Sequence, residues 1–212
     1  MDVKLIATTF AAQNTCARAA AKCTGSHNPL KALQAAMESG HESVAEHATF
    51  TFEVNGVSRV LLAQLTRHRL ASYSVSSQRY IRLIDVQVVV PVTVINRGWA
   101  DNYAAQARAA FSLYSTMLED GVPLEDARYI LPEGSTVDLV LTMNARELRH
   151  FFALRCCNKA QWEIRLLADQ LFEKVRKVAP VLFDDAGPGC VRGRCPEKRP
   201  CGNPRGKEGE AE

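Results

Sequence analysis

The sequence predicts an α+β fold with a mixed or antiparallel central sheet flanked by helices. Strand-like and helix-like segments are interspersed along the chain, and they do not follow a regular strand–helix–strand repeat. The chain has 212 residues, 47% of them hydrophobic and 23% charged, which suits one domain with a sizeable core. Strands are expected over residues 3–10, 48–54, 86–91 and 137–144. Helices are expected over residues 15–22, 28–40, 57–69, 99–120, 145–155 and 159–178.

The first elements are predicted from capping and alternation. Residues 3–10, VKLIATTF, are rich in β-branched side chains and favour a short strand. Asn28 is a good N-cap for the second helix, which Gly40 should end. Residues 48–54 alternate apolar and polar side chains, as a half-buried strand does, and Asn55-Gly56 should end that strand.

The later elements are predicted from helical spacing and terminators. The helix over residues 57–69 should carry the sequence RHR at its C-terminal end. Residues 86–91, VQVVVP, are a second strand candidate. The long helix over residues 99–120 is closed by Gly121. The helix over residues 159–178 has apolar side chains on one face and polar side chains on the other.

The composition divides the chain at Asp184. Residues 1–183 are predicted to form one domain. Residues 184–212 form a tail in which Gly, Pro, Arg, Lys and Glu dominate and aromatic residues vanish. The last seven residues, GKEGEAE, have the composition of a disordered segment.

Charge and cysteine content exclude several classes of protein. A net charge of +3 does not support a nucleic-acid coat, although local basic clusters can bind phosphate. No apolar run approaches the roughly 18 residues of a membrane span, and the N-terminus has no basic region typical of a signal peptide. Seven cysteines, an odd number, favour a reducing compartment. We therefore expect a cytoplasmic protein without nucleic-acid or membrane partners.

Two motifs combine acidic, basic and hydroxyl side chains. GHESVAEH (residues 40–47) is a polar loop, a ligand site or a metal site; because His41 and His47 are six residues apart, they do not share a helical face as in HExxH. RHRLASYSVSSQRY (residues 67–80) concentrates guanidinium and hydroxyl groups. Arginine binds phosphate oxygens in pairs, so this segment predicts a phosphate or nucleotide site. A helix C-terminus alone would explain part of its positive charge.

A third basic segment, NARELRHFFALRCCNKAQWEIR, spans residues 144–165. Asn144 is an N-cap or a ligand contact, and Arg146 and His150 share one helical face. Positive charge at a helix start opposes the helix dipole, which suggests a compensating anion. A solvated basic face is the alternative interpretation.

These segments together resemble the flavin-dependent thymidylate synthases, whose signature is RHR, seven residues and Ser. Here the signature reads Arg67-His68-Arg69, LASYSVS and Ser77. GHESVAEH, ARYILP and the NAR…AQWEI segment are similar to that family in the same order, and the similarity covers about residues 1–183. The resemblance implies a homotetramer with FAD between subunits. It implies that dUMP becomes dTMP with carbon from methylenetetrahydrofolate, with NADPH reducing the flavin, and without an enzyme nucleophile.

The resemblance also implies roles for individual residues. The residues that match flavin-binding positions are Ser43, Glu46, Arg67, His68, Arg69, Val75 (through its backbone), Asn144, Arg146 and His150. The residues that match nucleotide-binding positions are Gln64, Arg67, Ser76, Ser77, Gln78, Arg79, Arg128 and Arg155. Arg155 matches the catalytic arginine that holds the uracil ionised, because a guanidinium beside N3 favours loss of its proton. Ser77 has no base within the motif and is assigned to binding.

The chain departs from the family pattern at two places. Many members have Asn-Glu where this chain has Ser74-Val75, and some have His where this chain has Lys159. A valine side chain cannot accept a hydrogen bond from a nucleotide hydroxyl. We expect altered affinity for dUMP and FAD at these places, with the chemistry unchanged.

The tail contains CVRGRCPEKRPC, which the family resemblance does not require. Cys157, Cys190, Cys195 and Cys201 are candidate ligands of a structural zinc ion, since zinc binds four thiolates in tetrahedral sites. Free thiols in a loose tail are the alternative. A nucleic-acid-binding module with a zinc-like tail is the rival function, although a basic, aromatic-rich stripe is missing from the sequence.

Overall fold

The computed structural model describes residues 1–85 and 87–205. Within these residues, four strands form one antiparallel sheet in the order β1-β2-β4-β3, which confirms the predicted α+β class. The strands are β1 (Asp2–Thr8), β2 (Thr49–Ser58), β3 (Ala71–Val75) and β4 (Thr136–Asn144). The segment GKEGEAE, predicted to be disordered, lies outside the described residues.

Nine α-helices and three short 3-10 helices accompany the sheet in the described residues. The α-helices are α1 (Ala12–Thr24), α2 (Pro29–Glu38), α3 (Arg59–Leu65), α4 (Val92–Asn96), α5 (Ala100–Glu119), α6 (Leu124–Ala127), α7 (Ala145–Arg155), α8 (Trp162–Val178) and α9 (Pro180–Phe183). The 3-10 helices are Glu42–His47, Arg128–Ile130 and Gly189–Arg192. Over residues 1–85 and 87–205, no helix combines the length and the apolar content that crossing a membrane requires.

The described chain forms two compact units. The first unit comprises Met1–Asp2, Val54–Thr66 and Ser74–Leu139, and the second comprises Val3–Glu53, Arg67–Tyr73 and the chain from Val140 onward. The predicted domain boundary at residue 184 stays a prediction.

The second unit has a core rich in aromatic side chains. On β2, Phe50 and Phe52 are fully buried, while Thr49 is exposed, as the alternation predicts. Phe152 on α7 packs edge to face with Phe172 and Phe183. These contacts fix α7, which carries several of the predicted site residues.

The first unit is built around α5 and the adjoining strand ends. Phe111 and Tyr114 of α5 are buried, and so are Leu61 and Leu65 of α3. Ser58 caps α3 by accepting a hydrogen bond from the amide of Leu61 at 3.0 Å. The helix ends at Leu65, so the predicted helix extends four residues too far at its C-terminal end, and the RHR sequence follows the helix instead of ending it.

Two predictions about strands are wrong. The strand expected over residues 86–91 is reduced, among its described residues, to one bridge between Val88 and Ser135. Asn55-Gly56 does not end β2, which continues to Ser58. Gly56 adopts φ 68°, a left-handed conformation that glycine tolerates, and its amide donates to the Asp138 carboxylate at 2.8 Å. The Asp138 side chain of the adjacent strand β4 thus provides a hydrogen-bond acceptor for the backbone amide of Gly56, whose conformation is not that of a regular strand.

Candidate active site

The central histidine of the RHR sequence is buried between two charged side chains of the second unit. His68 is 5% exposed; its Nδ1 lies 3.2 Å from Oε1 of Glu147, and its Nε2 accepts a hydrogen bond from Nε of Arg155 at 3.0 Å. A guanidinium can only donate, so Nε2 is unprotonated and Nδ1 donates to the carboxylate. The imidazole is therefore neutral and is held at both nitrogens.

The surroundings of His68 keep it neutral. Burial lowers the pKa of His68 below its usual value, and the positive charges of Arg155 and His150 act in the same direction. The hydrogen bond and the negative charge of Glu147 oppose this shift without reversing it. Near neutral pH the group is thus a fixed hydrogen-bonding side chain and not a cation.

We expect the free energy of unfolding to fall as pH decreases below the usual His68 pKa of 6.5. Below that value the unfolded chain protonates this histidine while the folded chain resists, so the unfolded state binds more protons and stability is lost. The loss continues until the pH reaches the lowered folded pKa. Urea unfolding at about pH 7.5 and about pH 5.5 should show a larger difference for wild type than for His68→Gln. If the free energy of unfolding changed equally with pH in wild type and in His68→Gln, the lowered pKa of His68 would be wrong.

A metal is not the natural occupant of this cluster. The ligand atoms of His68, Glu147 and His150 lie within 4.8 Å of one another, the one such group among the residues the structure describes. However, Nε2 of His68 already accepts from Arg155 and Nδ1 carries a hydrogen. The arrangement fits an organic ligand better, since neither nitrogen offers an unused lone pair.

A cavity of about 600 Å³ in the second unit brings the GHESVAEH and NAR segments together beside the residue that follows RHR. It is lined by Glu42, Glu46, Leu70, Asn144, Arg146, Glu147 and His150. Three of its polar residues (Glu46, Arg146 and His150) and Leu70 are exposed, and Arg146 donates to Glu46 at 2.5 Å. The cavity therefore offers both hydrogen-bond donors and carboxylate acceptors.

The start of α7 is organised by a cap and by internal ion pairs. Asn144 is the N-cap, as one interpretation predicts, and its side-chain oxygen accepts from the amide of Glu147 at 2.8 Å. Its side-chain NH₂ group is not used by that bond. The sequence predicts an anion that compensates the positive charge of this helix. Carboxylates of the protein itself supply part of that charge, because Arg149 donates to Glu42 and Asp185.

The remaining flavin positions are at the surface. Ser43, Arg67 and Arg69 are exposed in the second unit, and Val75 ends β3 in the first unit. Strand β3 was not predicted, because its polar residues resemble a loop. No contact of these four side chains with a ligand is tested, so their roles stay predictions.

In the first unit, Arg79 and Arg128 approach the same acidic residue. Arg79 pairs with the Glu125 carboxylate at 2.7 Å, and Arg128 donates to the Glu125 backbone oxygen at 3.0 Å. The hydroxyl of Ser77 accepts from the amide of Arg79 at 3.2 Å, which shapes the turn that carries it. Two guanidinium groups from segments far apart in sequence therefore lie close to Glu125, and its carboxylate is the anion that Arg79 binds in this structure.

Three further predicted nucleotide positions differ in how their polar atoms are used. The hydroxyl of Ser76 accepts from the amide of Asp138 at 3.2 Å. Gln78 is 8% exposed, and its Nε2 has no hydrogen-bond partner among the described residues. A buried amide without a partner costs about 1–3 kcal/mol, so an incoming acceptor would stabilise this side chain. Gln64, on α3, makes a long bond of 3.4 Å to the Val60 oxygen.

Sequence reasoning missed three residues in these groups. Glu147 lies inside the NAR motif, yet nothing in its spacing distinguishes it from a solvent-facing acid. Glu125 pairs with an arginine 46 residues away, which no local pattern reveals. Arg59 opens α3, where a cation is unfavourable, and its Nη1 is buried without a partner among the described residues; both features are visible only in the structure.

Paired arginines in the first unit and a cavity of mixed charge in the second are features suited to anionic organic ligands. Comparisons with known proteins specify the class further. The family model described as thymidylate synthase complementing protein matches residues 4–181. A flavin-dependent thymidylate synthase of Geobacter sulfurreducens is 49% identical over 168 residues, which are 78% of this chain and 72% of that protein.

A second relative and a solved structure agree with that match. The flavin-dependent thymidylate synthase of Clostridium tetani is 42% identical over 184 residues, covering 79% of this chain and 74% of that protein. The crystal structure of the Helicobacter pylori enzyme ThyX with FAD and dUMP superposes with a TM-score of 0.73 at 28% identity. That match covers 88% of this chain and all of the other. The chain belongs to the flavin-dependent thymidylate synthase family.

Proposed function

We propose that this protein converts dUMP to dTMP with methylenetetrahydrofolate as carbon donor and FAD reduced by NADPH as hydride carrier. Family membership and the Helicobacter pylori complex with FAD and dUMP support dUMP as the substrate, FAD as the cofactor and dTMP as the product. The single observation that carries the proposal is the fixed Glu147–His68–Arg155 chain beside a polar cavity. The folate, the reductant and the absence of an enzyme nucleophile rest on the resemblance.

The residues around the cavity near α7 fit part of a flavin dinucleotide. Its volume of about 600 Å³ is in the range of ligand sites. Arg146, His150 and the amide of Asn144 would donate to carbonyl or phosphate oxygens, and Glu46 would accept from N–H or hydroxyl groups. When bound, the flavin supplies the hydride. The protein's part is to hold and orient it.

For dUMP, the phosphate would be held by Arg79 and Arg128. Glu125 already occupies the Arg79 guanidinium, so a phosphate would replace its carboxylate with a group of higher charge. The unpartnered Nε2 of Gln78 supports a contact to an acceptor oxygen of the nucleotide. Ser77 remains assigned to binding, since its hydroxyl accepts from a backbone amide and no base contacts it in the described residues.

Arg155 is proposed to hold the uracil ring in its ionised form. Burial lowers the pKa of Arg155, and repulsion from Arg67 adds to the shift. An anionic ring near both guanidinium groups would relieve that repulsion, so the ionised form of uracil is favoured there. The hydrogen bond from Nε of Arg155 to His68 restricts the orientation of the guanidinium plane, which would hold its charge in one place.

Assembly as a homotetramer and a cytoplasmic location are part of the proposal. Large apolar side chains are exposed in each unit: Phe10 (93%) and Leu70 (74%) in the second, Ile84 (84%) and Tyr129 (84%) in the first. Such exposure supports contacts between copies of the chain. Seven cysteines without a disulfide among the described residues support a reducing compartment. No step of the proposed reaction requires the zinc expected at the C-terminal cysteines.

Release of tritium from C5-labelled dUMP tests the proposed function. We expect release only when NADPH, FAD and methylenetetrahydrofolate are all present, because the carbon replaces the C5 hydrogen. Omission of each component is the matched control, and replacement of NADPH by NADH tests the reductant. Purified protein without flavin absorption that binds DNA in a salt-sensitive way would support the rival nucleic-acid module instead.

A further inference from the structure

We propose that Cys157, Cys190, Cys195 and Cys201 bind one zinc ion that fastens the C-terminal segment to the end of α7. In the structure all four cysteines are among the residues that line one cavity of about 680 Å³, which lies between parts of the stretches 153–160 and 188–205. The four come from two stretches more than 30 residues apart in sequence, so their convergence is a tertiary feature. Four thiolates are a ligand set that a structural zinc ion prefers.

Residues 189–204 of the C-terminal segment have few other stabilising contacts, since none of them is buried. After Phe183 the segment contains no aromatic residue, and over 184–205 its one regular element is the 3-10 helix Gly189–Arg192. Residues 196–204 are all exposed. A segment that buries little apolar surface gains little stability from the hydrophobic effect. Small structures of this kind are often stabilised by a bound metal ion instead.

A tight loop brings the first two tail cysteines into the same cavity. The Gly189 oxygen accepts from the amide of Arg194 at 3.0 Å, and the amide of Gly193 donates to the Cys190 oxygen at 3.1 Å. A side chain at Gly189 would place its Cβ 2.5 Å from the Arg194 oxygen. The loop from Cys190 to Cys195 is therefore closed on itself, and glycine is required where its ends meet.

Hydrogen bonds align the tail with the segment that carries Cys157. Lys159 donates to the Glu197 carboxylate at 2.6 Å, and the Asn158 side chain donates to the Asn203 oxygen at 2.7 Å. Arg205 donates to the backbone oxygen of Cys156 at 2.8 Å. These contacts place the tail along residues 156–159, although exposed pairs of this kind contribute little stability by themselves. They also give Lys159, a departure from the family pattern, a partner in the tail.

Charge in the segment suits a tetrathiolate centre. A zinc ion with four thiolates is net negative, and basic residues outnumber acidic ones in the stretches 157–160 and 188–205 that carry the cysteines. The basic residues are Lys159, Arg192, Arg194, Lys198, Arg199 and Arg205. No three of the four sulfur atoms lie within 4.8 Å of one another in the described structure, so binding should draw the cavity closed.

Elemental analysis of the purified holoenzyme tests the proposal. We expect about one zinc ion per chain in wild type and at least a tenfold lower content in Cys195→Ser. Cys23→Ser, which removes an exposed thiol on α1, is the matched control and should keep its zinc. Bound flavin in each variant shows that the fold is retained.

Limited proteolysis of the wild-type holoenzyme gives a second readout that needs no variant. Trypsin cleavage after the exposed Arg192, Arg194 and Lys198 should become about tenfold faster after zinc is removed by a chelator, and slow again when zinc is returned. Wild-type protein without zinc, equal zinc in Cys195→Ser and wild type, or an intact mass that reveals a disulfide between two of the four cysteines overturns the proposal.

Discussion

Arg155→Ala abolishes dTMP formation, with a loss of at least about 100-fold in kcat/KM, while FAD remains bound. The substitution removes the guanidinium proposed to stabilise the ionised uracil, and that charge is needed most when electron density moves to C5. Arg155 is at the C-terminal end of α7, away from the cap at Asn144, so the helix itself should persist. Tritium release and flavin absorption of the purified variant are the measurements.

The control for Arg155 is Arg18→Ala, which removes an exposed guanidinium from α1 in the same unit. Its activity should equal that of wild type. If Arg155→Ala formed dTMP at the wild-type rate, the role assigned to Arg155 would be wrong. A loss of flavin together with activity would assign Arg155 to flavin binding instead.

Glu147→Gln separates the positioning of Arg155 from its charge. The variant keeps the guanidinium but weakens the hold on Nδ1 of His68, through which Nε of Arg155 is oriented. We expect a smaller loss, about tenfold, located in kcat more than in KM. The pKa of His68 should fall further, because the negative charge that raises it is removed. A shifted pH profile would distinguish positioning from a general loss of stability.

Arg149→Ala lowers the free energy of unfolding by about 3 kcal/mol. Arg149 is 4% exposed and is held by the Glu42 carboxylate at 2.9 Å, the Leu182 backbone oxygen at 2.7 Å and both oxygens of Asp185. Truncation leaves these acceptors without their donor and leaves a cavity beside α7. Urea unfolding followed by circular dichroism measures the change.

The control for Arg149 is Arg176→Ala, which removes a partly exposed arginine 3.8 Å from Asp184. Exposed pairs are worth less than about 1 kcal/mol, so its effect should be much smaller. Arg149→Lys should be intermediate, since lysine keeps the charge but cannot bind Asp185 through two nitrogens. Equal stabilities of Arg149→Ala and Arg176→Ala would show that the buried ion cluster around Arg149 stabilises the protein no more than the ion pair between Arg176 and Asp184.

The effect of Arg149→Ala should also depend on pH. Burial raises the pKa of Asp185, but hydrogen bonds and charge from Arg149 outweigh it and hold that pKa below its usual 3.8. The stabilisation is therefore complete above pH 3.8 and is lost as pH falls through the lower folded pKa. The difference in free energy of unfolding between wild type and Arg149→Ala should become smaller as the pH falls below 3.8.

Local signals were sufficient for much of the fold. The cap at Asn28, the alternation of residues 48–54 and the spacing of α5 and α8 depend on neighbours within one or two turns. The helix predicted over residues 145–155 has those bounds in the structure. The strand over residues 86–91 failed because β-branched composition indicates a tendency, whereas a strand also needs a paired neighbour along its length.

The sequence by itself determined which chemical groups this protein has: the RHR triplet, the acidic GHESVAEH segment, the basic face of α7 and three cysteines near one end. Only the tertiary structure decided which of them meet. His68 contacts Glu147 and Arg155 across 79 and 87 residues, and Arg149 is committed to an internal ion cluster. Spacing along the chain reports which residues share an element. It does not report which elements pack together, because that depends on burial summed over the whole core.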